Sequence, residues 1–142
     1  MKKTMTLIFL SIILVLICMY LNFGNFLYGS PVTIGNLIVT FLYIIIWGII
    51  LIIGIKDSNY KFMIYSCIFW FIMLLLSILT IYVDATGASA SWAIPFAVLL
   101  LGQWYGLEFF FSDYLVYYMM LAFSSLVIII NITILIKRKK SV

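Results

Sequence analysis

The sequence predicts an all-α membrane protein, built as an antiparallel bundle of four transmembrane helices with an additional outer helix. Of its 142 residues 68% are hydrophobic and 8% are charged, against about 45–50% and about 25% in ordinary globular chains. All eight basic residues can be placed on one side of a membrane by four apolar spans. Four spans of about 20 residues leave no stretch that could fold as a separate aqueous domain. We therefore expect residues 1–142 to form a single integral membrane domain.

The spans follow from the apolar runs between charged or turn-forming residues. They are expected at about residues 5–21, 34–55, 62–83 and 114–136. The first is expected to remain uncleaved, because no small-residue cleavage site follows it. The short connection at residues 56–61 predicts that the second and third spans are antiparallel neighbours.

The basic residues predict the orientation of the chain. Cytoplasmic loops collect Lys and Arg, so both termini are expected in the cytoplasm and the chain in the plasma membrane. The topology anchors are Lys2, Lys3, Lys56, Lys61, Lys137, Arg138, Lys139 and Lys140. Because these residues flank span ends, the orientation rule and contact with anionic lipids explain the net charge of +4. A nucleic-acid partner is not needed to explain it. The preference for Lys over Arg and the abundance of Ile indicate an AT-rich bacterial genome.

The segment at about residues 92–111 is the irregular part of the chain and its best functional candidate. Ser91 can cap a helix that begins at Trp92, and Pro95 falls in the first turn, where its missing N–H costs little. As a helix the segment is about 30 Å long, enough for a fifth span. A fifth span would leave residues 137–140 on the outer face, against the orientation rule. We therefore expect a re-entrant or interfacial helix on the outer side, buried against the spans or beside a wet cavity.

A GxxxG pattern lies within this segment. On helical spacing Gly102 and Gly106 share one face with Phe109 and Asp113. Small residues at this spacing let two backbones approach closely. The simpler interpretation is packing of the segment onto its own bundle. The alternative is a face that docks a second copy or another membrane protein.

Three acidic residues are expected at the outer end, namely Asp84, Glu108 and Asp113. Glu108 stands within a long apolar run, and ionisable groups at membrane depth are candidates for function. The simpler interpretation places Glu108 at the headgroup boundary beside Trp104 and Tyr105, where water solvates it. The alternative is an outer polar site that binds a cation or a basic peptide.

Polar residues inside the spans are predicted to pair between helices. Counting 1.5 Å per residue, Ser66 and Asn131 fall at the same depth near the inner side. Thr40 and Ser77 match in the same way nearer the outer side. Both pairs are expected to join helices rather than to line a substrate path.

The composition argues against an enzyme. The chain has no histidine, which removes the usual general base, most zinc sites and the Ser-His and Cys-His arrangements. Cys18 and Cys67 fall at different depths and are expected to be small apolar side chains without a disulfide. We therefore expect no catalytic residues, no metal site and no cofactor.

Two classes of function remain after this exclusion. Small four-span multidrug exporters are similar in span count, but they rely on a glutamate in their first helix, and Met5 to Leu21 contains no carboxylate. The first class is a non-catalytic module that binds the bilayer and other membrane components, as accessory subunits, regulators and bacteriocin-immunity proteins do. The alternative is an oligomeric pore or small transporter, such as a holin or a small exporter.

Overall fold

The chain folds as a helical bundle, seen in a computed structural model that describes residues 2–57 and 59–139, with the backbone alone for 138 and 139. The described residues are almost entirely helical and contain no strand. The five α-helices are α1 (Lys2–Tyr28), α2 (Ile34–Lys56), α3 (Tyr60–Thr86), α4 (Ile94–Leu101) and α5 (Asp113–Lys139). The four helices other than α4 are long and apolar enough to cross a membrane. The predicted four-helix membrane bundle is therefore confirmed.

Helix α1 is longer than the expected span and continues beyond Leu21 to Tyr28. Gly29 then takes a left-handed backbone conformation, with φ of 57°, which a residue without Cβ adopts at little cost. Helix α2 begins after Thr33, whose side-chain oxygen accepts a hydrogen bond from the backbone N–H of Asn36 at 3.3 Å. The turn between α1 and α2 is therefore specified by local chemistry at both of its ends.

Helix α3 also extends past its expected limits. It ends at Thr86, where Gly87 has φ of 68° and donates its N–H to the carbonyl oxygen of Val83 at 2.8 Å. The helix therefore continues through Asp84, because the left-handed glycine that ends it comes three residues later. Asp84 is exposed in the last turn of α3.

The long helices pack as antiparallel neighbours. The indoles of Trp47 in α2 and Trp70 in α3 lie with ring centroids 5.3 Å apart, which confirms that these two helices are neighbours. The most extensive packing is between α3 and α5. Here Asn131 donates from Nδ2 to the Ser66 hydroxyl at 3.0 Å, which confirms the predicted pair.

The other predicted polar pair was wrong. Thr40 donates its hydroxyl to the backbone oxygen of Gln103 at 2.7 Å, whereas Ser77 bonds its own helix at Met73. The depth count missed this because the segment between α3 and α5 enters the bundle and supplies the partner for Thr40.

The predicted topology anchors that the structure describes lie at one end of the bundle, at or beside the ends of the long helices. They are Lys2, Lys3, Lys56, Lys61 and Lys137. Lys3 forms an exposed ion pair with Asp57, with the nitrogen and oxygen 3.3 Å apart. Lys140 lies outside the described residues, as do the side chains of Arg138 and Lys139.

Candidate functional site

Residues 91–109 form a segment that enters the bundle and returns to the end from which it started, and we refer to it as the re-entrant segment. It contains a short 3₁₀ helix (Ser91–Ala93), helix α4, and a second 3₁₀ helix (Gly102–Phe109). The expectation of one continuous helix at 92–111 was therefore wrong, as was side-chain capping by Ser91, because Ser91 itself belongs to the first 3₁₀ turn. Pro95 lies in the first turn of α4, as expected.

The path of the re-entrant segment can be followed by its contacts. Ile94 lines a groove with Val83, in the last turns of α3. Leu99 lines a groove with Val15, in the middle of α1. The Tyr105 hydroxyl then donates to the backbone oxygen of Ser30, in the turn that follows α1. The segment thus fits a re-entrant element on the same side as that turn, rather than a fifth span.

The change from α-helix to 3₁₀ helix has a cause in the sequence. The side chain of Gln103 donates from Nε2 to the carbonyl oxygen of Leu99, the group that its own backbone N–H would bond in a continuing α-helix. The same amide nitrogen donates to the backbone oxygen of Val15 at 3.2 Å. Gly102 and Gly106 further lower the helical preference of this stretch. Gln103 therefore ends α4 and fastens the segment to α1.

A network of amide and hydroxyl groups holds the second 3₁₀ helix. Asn22 donates from Nδ2 to the backbone oxygen of Gly102 at 3.0 Å, and Asn36 donates to Oδ1 of Asn22 at 3.0 Å. The hydroxyl of Thr40 bonds Gln103 as described and accepts the N–H of Gly106 at 3.0 Å. Backbone groups at membrane depth need such partners, because lipid cannot supply hydrogen bonds.

Asn36 joins this network to the turn between α1 and α2. Its Oδ1 accepts hydrogen bonds from the side chain of Asn25 at 2.8 Å and from the hydroxyl of Thr33 at 2.7 Å. The side chain of Asn36 is 4% exposed. One buried amide therefore sets the start of α2 and, through Asn22, the position of the re-entrant segment.

The two glycines of the GxxxG pattern are buried against helices of their own chain. A Cβ built on Gly106 would overlap the backbone carbonyl of Asn36, and one built on Gly102 would meet the ring of Phe26 at 3.6 Å. Phe109 does not share this environment, because it is 45% exposed and packs edge-on against Phe110. The expected common face of Gly102, Gly106 and Phe109 depended on α-helical spacing, which the 3₁₀ helix does not have.

Trp104 lies at the centre of the bundle. Its indole packs against Tyr43 of α2, Trp70 of α3 and Phe123 of α5, with ring centroids 6.0, 6.4 and 5.4 Å away. Tyr43 and Phe123 are each about 15 Å from the ends of their helices that lie opposite the lysines. The expectation that Trp104 marks the headgroup boundary was therefore wrong, because the re-entrant segment carries it to mid-depth, where it is 2% exposed.

Large side chains fill the interior of the bundle. Six of them have no measurable exposure: Tyr43, Trp47, Met63, Trp70, Met73 and Met120. They come from α2, α3 and α5, and the re-entrant segment closes the remaining side with Leu101, Trp104 and Leu107, each at most 5% exposed. The axis of a single chain is therefore packed with side chains.

A polar cavity of about 380 Å³ opens at the end of the bundle opposite the lysines, and we call it the outer cavity. It is lined by Glu108, Asp113, Tyr105 and Tyr117, and by the turn at residues 29–32. Burial, and then the nearby carboxylate of Asp113, raise the pKa of Glu108 from its usual value of 4.5 to about 7. Burial and the charges of Glu108 and Asp113 also raise the pKa of Tyr105. The outer cavity therefore combines acceptor oxygens with a carboxyl group that titrates near neutral pH.

Two of the three predicted acidic residues meet at this cavity. Glu108 and Asp113 line it, whereas Asp84 is exposed at the end of α3 and is not among its lining residues. Within residues 2–57 and 59–139, no group of three His, Cys, Asp or Glu side chains could hold a metal ion.

The sequence interpretation missed the amides that fasten the re-entrant segment, namely Asn22, Asn25, Asn36 and Gln103. A signal was present, because Asn22 and Asn25 stand three residues apart near the end of α1 and Asn36 stands near the start of α2. Residues at that spacing share a helix face, and the connection between α1 and α2 brings the two ends together. Gln103 gave no such signal, because its partners depend on the end of α4.

Comparisons of the chain with protein-family models, with curated proteins and with solved structures found no match.

Proposed function

We propose that this chain is a non-catalytic membrane module of the accessory, regulatory or immunity type, which acts by binding another membrane component. The main support for this proposal is that side chains fill the interior of the bundle. Conduction through one chain would require a wet path, and aromatic and methionine side chains occupy that position. A pore or transporter would have to form between copies of the chain.

The proposed contact surface is the outer end of the bundle. There the outer cavity presents the carboxyl groups of Glu108 and Asp113, and the last residue of the re-entrant segment and the turn after it present exposed aromatic rings at Phe109, Phe110 and Phe111. A partner that carries a basic group next to apolar side chains fits this combination, because carboxylates attract cations most strongly where water is partly excluded. We further propose that this end faces away from the cytoplasm of a bacterial cell, with both termini inside.

The test is gentle detergent purification of a C-terminally tagged chain from its native membrane. Co-purifying proteins are identified and counted by mass spectrometry, and the size of the complex is measured. A stoichiometric foreign protein supports the binding module. A discrete oligomer of this chain alone, with solute flux in liposomes, favours the pore or transporter instead.

The outer cavity is tested in the same purification with Glu108→Gln, which keeps the shape of the side chain and removes its charge. Asp84→Asn is the matched control, because it removes an acidic charge from the same end but outside the cavity. We expect Glu108→Gln to lower partner recovery and Asp84→Asn to leave it near the unsubstituted level. Equal recovery with both variants would contradict a role for the cavity.

A further inference from the structure

A second cavity of about 380 Å³ lies at the opposite, basic end of the bundle, between the first turns of α1 and the last turn of α2. Its lining includes Lys2 and Lys3 at the mouth and the apolar side chains of Leu7, Leu10 and Ile53 along its length. Asp57 completes the rim. We call this the basal groove.

We propose that the basal groove binds one anionic phospholipid, with the phosphate at Lys2 and Lys3 and the upper part of an acyl chain along Leu7, Leu10 and Ile53. This inference requires the chain to lie in a membrane, but it does not depend on the proposed partner at the outer end.

The dimensions and chemistry of the groove fit that occupant. Leu7, 5% exposed, forms the floor, while Leu10 and Ile53 are 47% and 42% exposed and form accessible walls. From Lys3 to Leu10 the groove runs about 10 Å along α1, most of the about 15 Å that one leaflet contributes to the hydrocarbon core. Positive charge therefore lies at headgroup level and apolar surface lies below it, as in a phospholipid.

Two contacts between helices lie beside the groove. The exposed ion pair between Lys3 and Asp57 joins the two walls. Next to it, the hydroxyl of Thr4 donates to Oδ1 of Asn59, the residue that caps α3, at 3.0 Å. A site whose walls are already in place loses less entropy when it binds.

Asp57 limits the attraction for a phosphate. Its carboxylate shares the charge of Lys3 and lies on the rim that an anionic headgroup would approach. Removal of either lysine is therefore expected to weaken the binding of an anionic lipid, whereas removal of Asp57 is expected to strengthen it.

The experiment uses the full chain in detergent, with native lipid removed by exchange. An equimolar mixture of phosphatidylglycerol and phosphatidylcholine with identical acyl chains is added, and native mass spectrometry measures the ratio of the two bound lipids. We expect phosphatidylglycerol to dominate on the unsubstituted chain. Lys2→Gln and Lys3→Gln are expected to lower the ratio about fivefold each, and Asp57→Asn is expected to raise it.

Two further variants separate a built site from general surface charge. Lys61→Gln removes a lysine from the same end but outside the groove, and it is expected to leave the ratio unchanged. Leu10→Trp keeps every charge and fills the apolar part of the groove, so bound phosphatidylglycerol is expected to fall. The inference is overturned if Lys61→Gln lowers the ratio as much as Lys2→Gln, or if Leu10→Trp leaves lipid binding intact in a folded chain.

Discussion

Gly106 of the re-entrant segment lies directly against the backbone carbonyl of Asn36 in α2, so that a Cβ on Gly106 would overlap that oxygen. The hydroxyl of Thr40 would be 2.6 Å from the same Cβ. The close approach lets the N–H of Gly106 reach Thr40. The fit of the segment against α2 therefore requires a residue without a side chain at position 106.

Gly106→Ala is expected to destabilise the fold by about 2–3 kcal/mol, because the added methyl group meets backbone that cannot move aside. Gly102→Ala is the matched control and is expected to cost less than about 1 kcal/mol, since its Cβ would make an ordinary contact with Phe26 at 3.6 Å. SDS-induced unfolding in mixed micelles measures both. Equal losses in the two variants would contradict the close approach at Gly106.

Asn22→Leu is expected to destabilise the fold by about 2 kcal/mol, because it leaves the carbonyl of Gly102 and the amide of Asn36 buried without a partner. Asn25→Leu is expected to cost less, since Asn25 is only half-buried and water can replace it. The same unfolding assay applies, with a double-mutant cycle between Asn22 and Asn36. A coupling energy near zero would show that the two amides do not act together.

The pair between Asn131 and Ser66 is expected to couple α5 to α3 by about 0.6 kcal/mol. The cycle of Asn131→Leu, Ser66→Ala and the double variant isolates this value. Ser125→Ala is the comparison within α5, because the hydroxyl of Ser125 bonds its own helix at Leu121. Ser125→Ala should show no coupling to Ser66→Ala, and a coupling as large as that of Asn131 would contradict the assignment.

Stability is expected to depend on pH through Glu108. Because its pKa rises from 4.5 to about 7 in the folded chain, the folded state keeps a proton that the unfolded chain releases between those values. The contribution of Glu108 to stability should therefore be greatest below pH 4.5, fall as the pH rises to about 7, and then level off. The loss is about 1 kcal/mol once screening of this half-exposed group is allowed for.

Glu108→Gln is expected to flatten that part of the pH profile, whereas Asp84→Asn should retain it. Unfolding in mixed micelles at a series of pH values gives both profiles. An unchanged slope in Glu108→Gln would show that another group carries the dependence.

The sequence was sufficient to predict the bundle but not the side-chain contacts of the candidate site. Long apolar runs and the one-sided distribution of lysines predict four membrane helices, because the bilayer sets both the length of a span and the location of charge. The same depth arithmetic correctly paired Asn131 with Ser66, since both stand on regular helices. It failed for Thr40, because the partner of Thr40 lies on the re-entrant segment, which enters the bundle and returns to the same end.

The location of the re-entrant segment was predictable from the sequence, but its secondary structure was not. Its small-residue start and the basic residues at 137–140 favour a return to the outer side. Its division into α4 and a 3₁₀ helix depends on the side chain of Gln103, which bonds both Leu99 and Val15. A local pattern cannot contain that information, because Val15 stands 88 residues away in the chain.

Cysteine labelling tests whether the re-entrant segment begins and ends on the same side of the membrane. The chain used for this test carries Cys18→Ala and Cys67→Ala. Single cysteines then replace Ser89 or Ser112, which are exposed on either side of the segment. Lys61→Cys is the reference for the basic end. A membrane-impermeant maleimide is applied to sealed vesicles of known orientation. Because a re-entrant segment has both ends on one side, Ser89→Cys and Ser112→Cys are expected to be labelled from the same face and Lys61→Cys from the opposite one. Labelling of Ser89→Cys and Ser112→Cys from opposite faces would contradict this expectation and establish a fifth span.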